Sequence, residues 1–352
     1  MITDIHLQSF RSYEDDSFEF SPNVNIIVGP NASGKTNLLE SILVVSRGSS
    51  YRAKDIDLIT TNKPWSRIEA NYETINRVVK LSKNPLGKVD KSYEINTNKS
   101  KRLNLSQTIP IVLFEPNHLL LLIGSPELRR NYLDDILEQT TPGFKALKAN
   151  YKRALAQRNS LLKANFKNPE IFVWNIRLSE LGGKIYKDRV LLIDNLRQEI
   201  SRLYDSLSSG AEDIKLDYKT NININNYESD LLHKLENATT HDISRGFTSY
   251  GPHRDDLVIT INSNAAGEYA SRGETRTILL GLKIIEAGII ESARGIKPLF
   301  LFDDVFSELD GARRLALTVI LRGYQSFITT TDADIVIKHF AQTANIIPIN
   351  RR

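Results

Sequence analysis

The segment 29–36 constrains the fold of this 352-residue chain more than any other part of its sequence. It reads Gly-Pro-Asn-Ala-Ser-Gly-Lys-Thr and fits the phosphate-loop pattern G-x-x-x-x-G-K-[ST] without exception. A short apolar run at 24–28 precedes it, and residues 35–46 are apolar at helical spacing. A strand, a phosphate-binding loop and a helix in this order predict an α/β fold with a nucleotide site at the end of the strand.

The residue types of this loop suit the binding of a nucleotide and Mg²⁺. Glycine lets the backbone approach phosphate oxygens and point N–H groups at them, and the following helix adds the positive end of its dipole. A lysine at 35 places its charge on the β- and γ-phosphates, and a hydroxyl at 36 is a ligand for Mg²⁺. The predicted nucleotide contacts are Gly29, Pro30, Asn31, Ala32, Ser33, Gly34, Lys35 and Thr36, and Thr36 is also a predicted metal ligand.

A second element of the predicted site, an acidic one, lies near the end of the chain. The apolar run 299–302 is followed directly by Asp303 and Asp304. A phosphate-loop site needs an acid at a neighbouring strand end to hold the Mg²⁺ shell, and Asp303 is predicted to be that acid. Asp304 would point elsewhere and is predicted to orient or polarise an attacking water, so Lys35 and Asp304 are the predicted catalytic residues. The alternative interpretation of the two carboxylates is a turn acid or a helix cap.

The sequence Ser271-Arg272-Gly273-Glu274 begins a helix whose apolar residues fall on one side. Ser271 and Glu274 have the spacing of a capping box, which alone would explain them. A serine, a glycine and free N–H groups at a helix start also form a phosphate site. One nucleotide could contact both this element and the phosphate loop in two ways. Either the two elements come from different subunits, or one chain folds so that they meet. The residues leave that choice open.

Composition excludes several classes of site. The chain has no cysteine, which excludes a disulfide scaffold, a thiolate zinc site, an iron–sulfur cluster and a cysteine nucleophile. No apolar run approaches the roughly 20 residues of a membrane helix, and the N-terminus lacks a signal-peptide pattern. We therefore expect a soluble, cytoplasmic protein that does not bind membranes.

The hydrophobic pattern predicts an α/β fold: a phosphate-loop head interrupted by an inserted, mostly α-helical lobe. The head would contain a mixed sheet, helices that cover it and a β-hairpin subdomain. Strand patterns include hairpin strands at 68–81 and 91–96, whereas 126–208 is helical, with breaks at 142–143, 168–169 and 182–183. The predicted divisions are 1–125 for the N-terminal part of the head, 126–245 for the inserted lobe and 246–352 for the C-terminal part of the head.

The net charge of +4 conceals an uneven distribution. Residues 76–102 hold eight basic and two acidic side chains, and residues 144–190 hold eleven and three, so these segments carry +14 and the rest −10. Such segregation suits a DNA backbone bound with little sequence specificity, although a solvated lysine-rich face is the alternative interpretation. The predicted DNA contacts are Lys80, Lys83, Lys101, Arg102, Lys152 and Arg153.

The order of these motifs resembles that of the ABC-type ATPase heads of the SMC and Rad50 class. More specifically, it is similar to the RecF family of bacterial DNA replication and repair proteins, which lacks the long coiled coil of that class. The resemblance covers residues 5 to about 331. The segments that carry it are Phe10-Arg11-Ser12-Tyr13, the phosphate loop through Glu40, Leu113-Phe114-Glu115-Pro116, the stretch from Gly124 to Asp134, Tyr250-Gly251-Pro252-His253-Arg254-Asp255-Asp256-Leu257, the helix start at Ser271, the acidic strand end and Ser307-Glu308-Leu309-Asp310.

The resemblance implies that ATP and Mg²⁺ are bound between two subunits arranged head to tail. Ser271 and Gly273 of one subunit would face the γ-phosphate held by Lys35 of the other, and Arg11 and Thr331 would lie near the phosphates. The loop 307–310 would cross the dimer interface. The resemblance further implies a weak, DNA-stimulated ATPase that dimerises on single- or double-stranded DNA, hydrolyses ATP slowly for release, and supports RecA loading with the RecO and RecR proteins.

Some positions depart from the family pattern. Ala32 replaces a common glycine, and Asn117 stands where an acid is usual. Asp304 replaces the glutamate of ABC enzymes in general, a feature that RecF relatives share. Aspartate is one methylene shorter, so we expect slow ATP turnover. The alternatives are a phosphate-loop phosphotransferase that acts on a small acceptor and a non-hydrolysing, SMC-like DNA clamp.

Overall fold

The computed structural model describes residues 1–164, 169–207, 212–306, 309–332 and 344–350. Its strands are β1 (Ile2–Phe10), β2 (Tyr13–Glu19), β3 (Val24–Val28), β4 (Trp65–Tyr72), β5 (Ile75–Lys83), β6 (Val89–Ile95), β7 (Asn98–Ser100), β8 (Ile111–Phe114), β9 (Ile214–Lys219), β10 (Asp256–Ile261), β11 (Asn264–Ala265), β12 (Leu299–Phe302), β13 (Ser326–Thr330) and β14 (Ala344–Pro348). Its helices are α1 (Lys35–Arg47), α2 (Pro126–Thr140), α3 (Phe144–Lys163), α4 (Glu170–Leu207), α5 (Tyr227–Asn237), α6 (Thr239–Arg245), α7 (Ala266–Tyr269), α8 (Arg272–Arg294) and α9 (Gly311–Ile320). Within the described ranges, no helix is both long and apolar enough to cross a membrane.

The first compact unit consists of Met1–His118 and Ile290–Arg352, and it contains two sheets. One is antiparallel, in the order β2-β1-β4-β5-β6-β7, and the other is parallel, in the order β14-β3-β13-β12-β8. Every residue of β8 and β12 is buried, as expected for parallel strands covered on both faces. Helix α1 contacts strands of both sheets. This mixed α/β architecture confirms the predicted fold class and brings the carboxyl ends of β3, β13 and β12 to one edge.

The second compact unit, Leu119–Ile289, contains α2 to α7, most of α8 and a small antiparallel sheet in the order β11-β10-β9. The sequence predicted divisions after 125 and 245 instead, which assigned 246–289 to the head. The pairing of β10 with β9, from Asp256 opposite Lys219 to Ile261 opposite Ile214, explains the difference. Residues on both sides of the predicted boundary share one sheet.

Two local predictions differ from the structure. The segment 68–81, predicted as one strand, belongs to β4 and β5, which are joined by a tight turn in which Glu73 has φ of 54°. The predicted break at 182–183 is absent, because α4 continues through both glycines. A Cβ atom on Gly182 would lie 2.9 Å from Leu231 and 3.2 Å from Pro252, so close packing explains this glycine better than a turn does.

His253, in the Gly-Pro-His-Arg segment of the second unit, is a partly buried histidine whose two ring nitrogens both have hydrogen-bond partners. The hydroxyl of Tyr151 donates a hydrogen bond to Nδ1 (2.7 Å), and Nε2 donates to the carbonyl oxygen of Thr248 (3.2 Å). Burial lowers the pKa of His253 to about 4, and the positive charge of Arg254 contributes in the same direction. The folded protein therefore holds this imidazole neutral where an unfolded chain would protonate it.

The free energy of unfolding should fall as the pH decreases from 6.5 toward 4. The unfolded state takes up a proton at His253 in this range and the folded state does not, which removes up to about 3 kcal/mol of stability. His253→Gln can keep both hydrogen bonds without titrating and should flatten this part of the pH dependence. Denaturant unfolding at several pH values measures the effect, with the exposed His233→Gln as control. An equal slope in both variants would contradict the assignment.

Candidate functional site

The phosphate loop joins β3 to α1 in the first unit, and its two glycines occupy places where a side chain does not fit. A Cβ atom on Gly29 would lie 2.4 Å from the carbonyl oxygen of Ile349, just after β14. Gly34 has φ of 111°, a conformation that favours glycine, and the hydroxyl of Tyr13 donates to its carbonyl oxygen (3.0 Å). The surrounding strands therefore fix the loop backbone in a shape that phosphate can approach.

Two polar side chains of the loop fit an anionic ligand. Lys35 is only 4% exposed, and its Nζ donates to the carbonyl oxygens of Gly29 (3.0 Å) and Pro30 (3.2 Å). The hydroxyl oxygen of Ser33 is buried and has no hydrogen-bond partner among the residues that the structure describes. A buried cation and a buried, unpaired hydroxyl in one loop are the groups that a bound phosphate would satisfy.

The exposed part of the loop consists of Pro30, Asn31 and Ala32. Ala32 has φ of 63°, the left-handed conformation that a glycine adopts without strain, so this departure from the family pattern carries a small backbone cost. A cavity of about 320 Å³ lies beside this part of the loop. It is lined by Ser12, Tyr13, Asp16, Phe18, Ala32, Ser33, Pro348, Ile349 and Asn350.

Asp303 follows β12 and lies against the phosphate loop. The hydroxyls of Thr36 and Thr329 donate to its Oδ1 at 2.9 and 3.0 Å, and the hydroxyl of Tyr51 donates to its Oδ2 at 2.9 Å. Oxygen donors of this kind suit Mg²⁺. The described residues contain no group of three or more His, Cys, Asp or Glu side chains that could hold a metal. A metal held by Thr36 and Asp303 would therefore take its other ligands from phosphate and water.

Asp304 follows in a left-handed conformation, with φ of 54°. Its backbone N–H donates to the hydroxyl of Thr329 (2.8 Å), which fixes the turn at the end of β12. Burial raises the pKa of Asp304; the charge of Lys35 opposes that rise, and the charge of Asp303 adds to it. The carboxylate is thus more basic than an exposed aspartate, which suits a group that accepts a proton from water.

Arg11, in the turn after β1, contacts α1 through Glu40, a buried carboxylate that the sequence did not single out. Its Nε and Nη2 donate to the two oxygens of Glu40, at 2.8 and 3.0 Å, and the Glu40 side chain is fully buried. Burial raises the pKa of Glu40, but hydrogen bonds from Arg11, Ser50 and Arg52 outweigh it and hold the pKa below the usual value. Glu40 therefore remains ionised and fixes two arginines on the helix that follows the phosphate loop.

In the second unit, Ser271 and Gly273 lie at the start of α8. The backbone N–H of Ser271 donates to Glu274 (2.6 Å), and the N–H of Glu274 donates to the hydroxyl of Ser271 (3.2 Å). This is the capping box that the spacing suggested, and Ser271 is exposed. Because Ser271 is exposed, a phosphate group could still reach this helix start.

Other predicted site residues lie in the first unit. Thr331 is exposed directly after β13. Ser307 and Glu308 fall outside the described residues. Asp310, at the end of the same predicted loop, caps α9 by accepting a hydrogen bond from the backbone N–H of Arg313 (3.0 Å).

Ion pairing reduces the positive charge counted along the sequence. In 76–102, Arg77 is buried, Lys80 lies 3.6 Å from Glu94, and Lys91 pairs with Asp55. The other five predicted DNA contacts are exposed: Lys83, Lys101 and Arg102 in the first unit, and Lys152 and Arg153 in the second. These five are better placed than Lys80 to meet a phosphate backbone.

Comparison with known proteins places this chain in a family. Residues 1–349 match the family described as RecF/RecN/SMC N terminal domain. The DNA replication and repair protein RecF of Halalkalibacterium halodurans is 33% identical, over 98% of this chain and 96% of the relative. RecF of Bacillus cytotoxicus is 35% identical, over 95% of this chain and 92% of the relative.

Solved structures show the same similarity. The recombination mediator protein RecF-ATPrS of the RecFOR pathway has a TM-score of 0.86 and 30% identity, and the alignment covers 96% of this chain and 94% of that one. The RecF-ATP structure has a TM-score of 0.83 and 29% identity, with 94% and 92% covered. An Smc head bound to the C-winged helix domain of ScpA, at a TM-score of 0.53 and 18% identity over 96% of this chain and 91% of that one, shares the fold alone.

Proposed function

The chain belongs to the RecF family of DNA replication and repair proteins, and we propose that it binds ATP with Mg²⁺ and uses slow ATP hydrolysis to control its hold on DNA. The observation that carries this proposal is the hydrogen bond from Thr36 to Asp303, which joins the phosphate loop to the acidic strand end. The relatives described as RecF-ATP and RecF-ATPrS support ATP as the nucleotide.

The residues of the site divide the chemistry between them. The loop backbone and Lys35 bind the phosphates, and the neighbouring cavity offers Tyr13 and Phe18 to the rest of the nucleotide. Thr36 and Asp303 would hold Mg²⁺, which neutralises phosphate charge when bound. Asp304 orients the attacking water and accepts its proton.

ATP-dependent dimerisation is the second part of the proposal. The exposed helix start at Ser271 would meet the γ-phosphate bound by a second copy, so the nucleotide would complete the interface between two heads. Ser271→Arg places a bulky cation at this start. We expect this variant to keep the ATP affinity of the wild-type monomer but to lose the ATP-dependent dimer.

Light scattering during size exclusion, with a non-hydrolysable ATP analogue, measures this dimer. The matched control is Ser244→Arg, at an exposed serine of α6, which should still dimerise. A dimer formed by Ser271→Arg would contradict the role of the helix start. A wild-type chain that stays monomeric in ATP would contradict the dimerisation itself.

DNA is the proposed target of the dimer, and the exposed cations of both units support it. We also propose the partners that the family implies, RecO and RecR, and a role in supporting RecA loading. Binding of single- and double-stranded DNA with and without ATP, at two salt concentrations, tests it, because phosphate contacts weaken as salt rises. ATP consumption that requires a small acceptor and ignores DNA would instead favour a phosphotransferase.

A further inference from the structure

The hydroxyl groups that hold Asp303 divide unevenly between its two oxygens. Thr36 and Thr329 both donate to Oδ1, whereas Tyr51 donates to Oδ2. Asp303 is only 8% exposed, so solvent has little access to this carboxylate. Tyr51 thus supplies a hydrogen bond on the side of the carboxylate away from the predicted metal ligand Thr36.

Tyr51 lies in the loop after α1, and the residues on either side of it hold this loop against the helix. Ser50 donates from its hydroxyl to Glu40 of α1, and Arg52 donates to Glu40 (3.2 Å) and to Asn37 (2.8 Å). The guanidinium of Arg52 also lies 5.8 Å from the centre of the Tyr51 ring. The phenol is therefore tied to the same element that begins with Lys35 and Thr36.

We propose that Tyr51 is a positioning residue for Mg²⁺, which holds Asp303 through Oδ2 so that Oδ1 stays turned toward Thr36. This inference rests on the proposed function. Mg²⁺ demands a nearly ideal octahedral arrangement of ligands, so a carboxylate that rotates freely binds it less well. Partners that orient a metal ligand in this way typically change metal affinity by about 10–100-fold.

The substitution Tyr51→Phe removes one oxygen atom and keeps the ring. We expect it to raise the Mg²⁺ concentration that half-saturates nucleotide binding by about 10-fold, at the lower end of the effect of such partners. ATP affinity in EDTA should equal that of the wild type, because Lys35 and the loop backbone are untouched. Titration of Mg²⁺ against a fluorescent, non-hydrolysable ATP analogue measures both quantities without relying on turnover.

The matched control is Tyr324→Phe, which removes another hydrogen bond from a tyrosine to a carboxylate, Glu291 (2.6 Å), within the same unit. It should leave the Mg²⁺ requirement unchanged. An unchanged or lower Mg²⁺ requirement in Tyr51→Phe would overturn the inference, and so would an equal loss of affinity in EDTA. Wild-type protein that binds no ATP would overturn the proposed function together with this inference, so the two failures are distinguishable.

Discussion

Replacing Lys35 with alanine should weaken ATP binding by at least about 100-fold, because hydrogen bonds to charged groups contribute about 1.5–3 kcal/mol each and this ammonium would donate to two phosphates. Its side chain is 4% exposed and lies against the carbonyl oxygens of Gly29 and Pro30. The low exposure strengthens its attraction to phosphate, since little water screens the charge. The positive end of the α1 dipole would remain in the variant, so some binding should persist at high ATP concentration.

Calorimetric titration with a non-hydrolysable ATP analogue measures the loss. Lys63→Ala, at an exposed lysine, is the matched control, because it changes the net charge equally and should bind ATP normally. Circular dichroism of Lys35→Ala checks that the fold survives. A folded Lys35→Ala that keeps wild-type affinity would show that the loop does not bind the nucleotide phosphates as proposed.

The sequence predicted the parts of the site that form from continuous segments of the chain. The phosphate loop and the helix after it form one continuous segment, and the acid after an apolar run marks the end of a buried strand. The contact between Thr36 and Asp303 joins residues 267 positions apart, and it was predictable because parallel strands bring their carboxyl ends to one edge.

The hydrogen bonds from Tyr51 to Asp303 and from Arg11 to Glu40 could not be predicted from local sequence patterns. Tyr51 and Asp303 are 252 positions apart, and the loop 48–53 carries no pattern that marks it as part of a site. Glu40 looks like an ordinary helix residue in the sequence, and its partner Arg11 lies 29 positions away, in the turn after β1. Side-chain hydrogen bonds between separate elements depend on packing, which a single sequence does not reveal.

Counts of charges and glycines along the sequence leave out tertiary contacts. A count along 76–102 treats Arg77 and Lys91 as free cations, but the first is buried and donates to the carbonyl oxygen of Val45 in α1, and the second pairs with Asp55. Gly182 predicts a helix break only if it is read locally, whereas in α4 it makes room for Leu231. In both cases the tertiary neighbour decides what the residue does.

Asp304 presents a different problem, because its backbone conformation restricts which substitution tests its chemistry. Its φ of 54° lies in the left-handed region, where asparagine and aspartate are tolerated better than alanine. Asp304→Ala would therefore add backbone strain next to Asp303 and could disturb the metal side of the site. Asp304→Asn keeps the shape and the tolerated conformation, and it removes the negative charge together with the ability to accept a proton.

We expect Asp304→Asn to reduce ATP cleavage by about 100-fold or more, the usual effect of losing a general base, while ATP binding stays close to that of the wild type. Because release would depend on cleavage, the variant should accumulate as an ATP-bound dimer on DNA. Single-turnover cleavage, measured with and without double-stranded DNA and combined with sizing in ATP, tests both effects, and the exposed Asp90→Asn is the control. Equal cleavage by wild type and Asp304→Asn would remove Asp304 from the mechanism. Dimerisation without cleavage in the wild type itself would favour the non-hydrolysing clamp.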